Sequence, residues 1–154
     1  MALMLREHFA EQLEGWIVRI IATDISPTMI ERARSGTYSQ LEVNRGLPAP
    51  MLLKHFHRDG MKWRLDDSVR SMVEYRLMNL DEPDAYGRLP MFDVIFIRNV
   101  LIYFDMNTKR EILTRCRGLL RPESYLFLGS SETTLNVVEG FERVQSGKTI
   151  CYRP

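Results

Sequence analysis

The chain has 154 residues, 45% of them apolar and 27% charged, which are the proportions of a single soluble globular domain. Its 21 basic and 20 acidic residues leave a formal net charge of +1, which excludes a dedicated nucleic-acid binder relying on a strong positive field. No apolar run approaches the roughly 20 residues needed to cross a bilayer, no secretory signal is visible from Met1 to Glu14, and two cysteines, Cys116 and Cys151, suit a reducing, cytoplasmic setting.

Leu3, Leu5, Phe9 and Leu13 recur at roughly helical spacing, so the first segment reads as a helix ended by Gly15. Trp16–Thr23 is a β-branched run and reads as a strand. Asp24 follows it, Ser26 is a helix cap, Pro27 suits the first turn and Gly36 stops the helix. Tyr38–Gly60 interrupts this strand-turn-helix rhythm, with Pro48 and Pro50 opening a short helix that runs through His57. The next segment, Met61–Leu80, reads as two strands around a tight turn at Asp66-Asp67-Ser68. Residues 37–78 thus form a small antiparallel insert on an α/β body.

Beyond a loop at Asp81–Pro90, Phe92–Ile97 is an apolar strand that stops abruptly on Arg98 and Asn99. Asn107–Leu120 is an amphipathic helix followed by Pro122, and Ser124–Ser130 is another apolar strand. The tail, Phe141–Pro154, folds as a hairpin turning at Ser146-Gly147. Strands alternating with helices imply a mostly parallel, doubly wound sheet, and such sheets bind ligands at the carboxyl ends of their strands. The polar residues at those ends are Asp24, Asn79, Arg98, Asn99, Ser130, Ser131 and Glu132.

Each of these has two readings. Asp24 is a ribose-diol acceptor or a turn aspartate, and the availability of Ser26 as the cap leaves the aspartate open to a ligand. Asn79 offers an amide to an adenine edge, with Leu80 as apolar surface, or satisfies its own loop. Arg98 holds a ligand carboxylate by its fork or forms an ion pair at the sheet rim, with Glu132 as the candidate partner. Tyr103 lies four residues beyond Asn99, one helical turn on if a helix begins there, and otherwise packs with its hydroxyl on backbone. His55 and His57 lack further ligands at metal spacing, so no metal is expected. Ser130 and Ser131 lack the context of a hydrolase nucleophile.

The blocks "IIATDISPTMIERARSGTYS", "NRGLPAPMLLKHF", "NL", "FDVIFIRNVLIYFD", "LLRPESYLFLGSSET" and "CYRP", in this order, resemble the CheR family of chemoreceptor protein-glutamate O-methyltransferases. The resemblance runs over nearly the whole chain. It implies a Rossmann-like class I methyltransferase sheet with a small antiparallel subdomain, and S-adenosylmethionine as cofactor. It implies methyl transfer to glutamate side chains on the cytoplasmic helices of chemoreceptors. Carried over by position, Asp24 looks like the ribose-binding acid, and Asn79 and Leu80 like the adenine-side pair. Arg98 and Asn99 look like the methionine-side contacts, and Tyr103 like the tyrosine near the transferred methyl. Tyr103 and Arg98 are thus the expected catalytic pair.

Compared with the family pattern, the first strand, its Gly-rich loop and the N-terminal helical domain are not found ahead of the first helix. The expectation is a partial catalytic domain over 1–154, in which two strands lack a ladder partner. Three origins are open: a fragment of a longer enzyme, a chain completed by another polypeptide, and a degenerate copy. The alternative function is a non-catalytic module that keeps the fold and binds a receptor or signalling partner. Glu123-Ser124 stands where the family has a Gly-Gly turn, so a positive-φ position is expected to be lost there. The subdomain turn is short and lacks a glycine-rich insert, so no tethering to a receptor's C-terminal peptide is expected.

Overall fold

A β-branched run followed by a capping serine and a proline should give strand, turn and helix. The computed structural model, which describes residues 1–154, contains that unit. The chain divides into two units, Met1–Met78 and Asn79–Pro154.

In the first unit, α1 (Ala2–His8) is shorter than the apolar spacing suggests, and turns carry the chain on to Gly15. The following strand, β1 (Ile20–Asp24), starts later than expected: Trp16 and Ile17 are exposed and the ladder to its partner strand begins only at Ile20. The helix α2 (Pro27–Ser35) is built as its signals dictate. Ser26 Oγ accepts the Met29 N–H, Pro27 sits in the first turn, and the helix ends at Gly36 with φ 60°. That left-handed backbone suits glycine, and a Cβ there would lie 2.6 Å from Arg70 Cδ.

Next come β2 (Thr37–Ser39), α3 (Gln40–Val43), α4 (Ala49–His55), β3 (Phe56–Asp59), β4 (Lys62–Leu65), α5 (Asp67–Arg70) and β5 (Val73–Leu77). A reciprocal capping box between Ser39 and Glu42 opens α3. The three short strands form an antiparallel sheet in the order β2-β4-β3, and Val43, Leu52 and Trp63 make its core.

The expected hairpin around Asp66-Asp67-Ser68 is not formed. Residues Asp67–Arg70 make a helical turn instead. β4 pairs with β2 and β3, whereas β5 runs parallel to β1, Ile20 opposite Val73 and Asp24 opposite Leu77. The antiparallel sheet therefore ends at Leu65, and the next strand returns to the α/β layer. Two adjacent β-rich runs carry no signal of whether they pair with each other or with distant strands; burial decides that.

The second unit opens on Asn79, and a 3-10 helix, Pro83–Arg88, occupies the expected loop. The strand β6 (Phe92–Ile97) has the expected bounds. A 3-10 turn, Leu101–Tyr103, leads to α6 (Met106–Gly118), capped by Asp105, whose carboxylate accepts the Asn107 and Thr108 N–H groups. β7 (Leu120–Leu128), β8 (Glu142–Ser146) and β9 (Thr149–Arg153) complete a sheet in the order β6-β7-β9-β8. The β6–β7 pair is parallel, and the β8–β9 hairpin turns at Gly147-Lys148, one residue beyond the expected Ser146-Gly147.

Between Phe92 and Val94 the register slips, so Phe92 faces Leu120 but Val94 faces Tyr125. Pro122, which has no N–H to give a ladder, lies in that bulge. Glu123 and Ser124 stand in extended strand there, so no positive-φ turn is needed. Ile112 and Leu113 of α6 and Leu126 of β7 are fully buried. Burying each contributes roughly 1.5–3 kcal/mol of transfer free energy.

Candidate functional site

The two units present their strand ends differently. In the first, β1 ends on Asp24, which is exposed. Its Oδ1 accepts the Ser26 N–H at 2.8 Å, so one carboxylate oxygen closes the turn into α2 while Ser26 caps the helix. The turn reading is therefore met by Oδ1, which serves the backbone, while Oδ2 is left over.

In the second unit, Asn79 is occupied by its own turn. Its Oδ1 accepts the Asp81 N–H at 3.1 Å, and its Nδ2 donates to Glu82 at 3.3 Å. Leu80 is half-buried, and its carbonyl accepts the Tyr86 hydroxyl at 2.7 Å.

Arg98 and Asn99 follow β6 directly, and both are exposed. The ion pair between Arg98 and Glu132 does not form. Arg98 enters none of the salt bridges of its unit, which join Arg115 to Glu111, Arg121 to Asp93 and Arg153 to Glu142. Glu132 is instead committed to backbone. Oε2 accepts the N–H groups of Asn99 at 2.9 Å and Gly129 at 2.6 Å, and Oε1 accepts those of Val100 at 2.9 Å and Leu101 at 2.8 Å. Burial alone raises the Glu132 pKa, but the four N–H donors outweigh it and hold the carboxyl below its ordinary value.

The helix considered from Asn99 onward is also replaced. Asn99 has φ 59°, a left-handed conformation uncommon for a non-glycine residue, and only a 3-10 turn follows. Tyr103 ends that turn and is 81% exposed, so its hydroxyl is presented to solvent rather than packed on backbone. Leu101, two residues earlier, is buried and anchors the segment. Arg98, Asn99 and Tyr103 therefore share one short exposed segment whose backbone is tied down between them.

Other reactive groups are spoken for. His55 is buried against Glu7 at 2.7 Å, while His57 is exposed beside Asp66 at 3.3 Å, so the H-x-H pair is split between two environments. No group of three His, Cys, Asp or Glu gathers as a metal site. Burial pushes the Cys116 thiol up to about 12 against the opposing pull of Arg115, which leaves it protonated and poorly nucleophilic.

An exposed arginine at a strand end, free of any ion pair, suits a ligand that carries a carboxylate. The chain matches the CheR methyltransferase, SAM binding domain family over residues 1–150. It belongs to that family. S-adenosylmethionine is thus the cofactor of the family to which this chain belongs.

Among curated relatives, this CheR-family chain is 43% identical over 137 residues to chemotaxis protein methyltransferase 1 of Pseudomonas aeruginosa, covering 88% of this chain and 49% of that protein. It is 39% identical over 138 residues to a chemotaxis protein methyltransferase of Vibrio parahaemolyticus, with the same coverages. The chain spans about half the length of these relatives. The N-methyltransferase NodS from Bradyrhizobium japonicum has the same kind of fold, at TM-score 0.52 and 18% identity, over 95% of this chain and 79% of that one. The expected class I methyltransferase fold is therefore the observed one. No helix is long and apolar enough to cross a membrane.

Proposed function

We propose that this chain is the cofactor-binding part of a protein-glutamate O-methyltransferase that modifies glutamates on the cytoplasmic helices of chemoreceptors. The observation that carries this reading is the segment Arg98–Tyr103, with an exposed arginine lacking an ion pair, a clamped backbone and a solvent-facing tyrosine. Family membership and the chemotaxis relatives support it. The proposed setting is the cytoplasm.

In this reading the Arg98 fork and Asn99 hold the carboxylate at the methionine end of the cofactor. Asp24 accepts from a ribose hydroxyl with the oxygen that its turn leaves over. Leu80 offers apolar surface on the adenine side. Asn79 joins it only by exchanging its contact with Glu82 for the ligand. Tyr103 presents its hydroxyl to the acceptor carboxylate, which orients it and excludes water. When bound, the cofactor supplies a sulfonium methyl whose leaving group is a neutral thioether. An acceptor glutamate is already ionised at neutral pH, so these residues need to position and need not deprotonate. Positioning of reacting groups supplies on the order of 7–11 kcal/mol. The β3–β4 turn is only Gly60-Met61, so receptor engagement is proposed to go through the helix being modified and not through a tethered C-terminal peptide.

Calorimetry with S-adenosylmethionine tests the binding half, with micromolar affinity expected and a large loss in Asp24→Ala. Transfer of labelled methyl to a receptor fragment tests the chemistry, and Tyr103→Phe should slow turnover more than it weakens binding. Unchanged methylation in both variants would remove these site assignments. An absence of heat at millimolar cofactor would favour the binding-module reading.

A further inference from the structure

The backbone after β6 is held by a single carboxylate from 33 residues downstream. Each Glu132 oxygen takes two N–H groups, so Asn99, Val100, Leu101 and Gly129 all converge on one side chain. Two of the four donors bracket the point where the chain leaves the sheet: Asn99 just after β6 and Gly129 just after β7. The other two sit at the start of the 3-10 turn. Glu132 itself is locked by its own N–H donating to the Gly129 carbonyl at 3.0 Å.

The approach is close enough to exclude a side chain at Gly129. A Cβ there would lie 2.5 Å from Glu132 Oε2, 2.6 Å from Asn99 Oδ1 and 2.9 Å from the Asn99 nitrogen. Two of those atoms belong to the clamp's own hydrogen bond, so neither can retreat without breaking it. The clamp also compensates for a conformation the chain would otherwise avoid, the φ of 59° at Asn99. That φ turns the backbone between Arg98 and the 3-10 segment, and so sets where Arg98 points relative to Tyr103.

We propose that Glu132 is the positioning residue of the site. It touches neither cofactor nor acceptor, but by fixing the backbone at Asn99–Leu101 it aims Arg98 and Tyr103. Gly129 is the space that lets it do so. This rests on the methyltransferase reading for its consequence, but the clamp itself is testable without any ligand.

The experiment follows backbone amide resonances and cofactor affinity in the whole chain and in two variants, Glu132→Gln and Gly129→Ala. In the unmodified chain the Asn99, Val100, Leu101 and Gly129 amide protons should shift together as one carboxylate titrates. Glu132→Gln replaces an acceptor oxygen by a donor and should abolish the shared titration. Affinity for S-adenosylmethionine should fall about tenfold or more, the scale of losing charge-assisted hydrogen bonds, in a chain that keeps its circular dichroism. Gly129→Ala keeps the carboxylate and should weaken affinity in the same direction by displacing it.

A folded Glu132→Gln chain with undiminished affinity would overturn the proposal. If that variant does not fold, Gly129→Ala decides by the same criterion. If the unmodified chain binds no S-adenosylmethionine, the methyltransferase reading fails. The clamp then stands if the four amides titrate as one, and falls if they move independently.

Discussion

Two strand ends of this molecule solve the same problem by opposite means. At the end of β1, Asp24 and Ser26 close the turn into α2 with contacts two and three residues away. At the end of β6, the turn toward α6 depends on Glu132, more than 30 residues downstream. The first turn is a property of a hexapeptide. The second exists only when β6 and β7 lie side by side, because Gly129 and Glu132 follow β7. Both leave exposed polar atoms at the carboxyl end of a parallel strand. The local turn should survive loss of packing around it, whereas the long-range one should not.

Leu113→Ala should disturb the long-range strand end most. Leu113 is fully buried, so a loss of roughly 2–5 kcal/mol is expected in urea denaturation. Hydrogen exchange at the Asn99–Leu101 amides should rise with it, since their acceptor is held by the same packed unit. A smaller effect belongs to the local device. Gly36→Ala should cost about 1–2 kcal/mol, because alanine must adopt φ 60° and displace the Arg70 side chain. Smaller again is Ser26→Ala, at about 1 kcal/mol in thermal denaturation, with no change in exchange at Asn99–Leu101. If Ser26→Ala did deprotect those amides, the distinction between the two strand ends would be lost.

The slightest effect is that of pH on Glu132, whose side chain is partly exposed. Its folded pKa is depressed, as four N–H donors overcome the upward push of burial. The stabilisation is therefore complete above the unfolded carboxyl's value, about 4.3, and is lost as pH falls through the lower folded one. Denaturation midpoints of the unmodified chain and of Glu132→Gln should differ at pH 6 and converge at strongly acid pH. A gap that persists there would mean the side chain acts through packing rather than charge.

Legibility in the sequence followed the same division. The Ser26 cap, the Pro27 start, the Gly36 stop, the bounds of β6 and the final hairpin were all readable, since each depends on neighbours within a few residues. The candidate residues Arg98, Asn99 and Tyr103 were readable as polar breaks at an apolar strand end. The role of Glu132 was not. It was visible only as a possible ion-pair partner for Arg98, because nothing local shows that four backbone N–H groups will converge on it. The one available signal was an acidic residue three positions after a glycine at a strand end. Likewise, the split between β4 and β5 was hidden, as both are short β-rich runs flanking an Asp-Asp-Ser segment.

Local chemistry along the chain is enough to set the capped helices, the family resemblance and the polar residues that stand at the strand ends. Folding in three dimensions sets which strands pair, gives Asn99 its left-handed backbone, and leaves Arg98 without an ion pair while Glu132 serves the main chain. The physical reason is range. Capping and turn chemistry act over three or four covalent neighbours, whereas a backbone N–H after a strand finds its acceptor only once the sheet has brought a distant carboxylate within hydrogen-bonding distance.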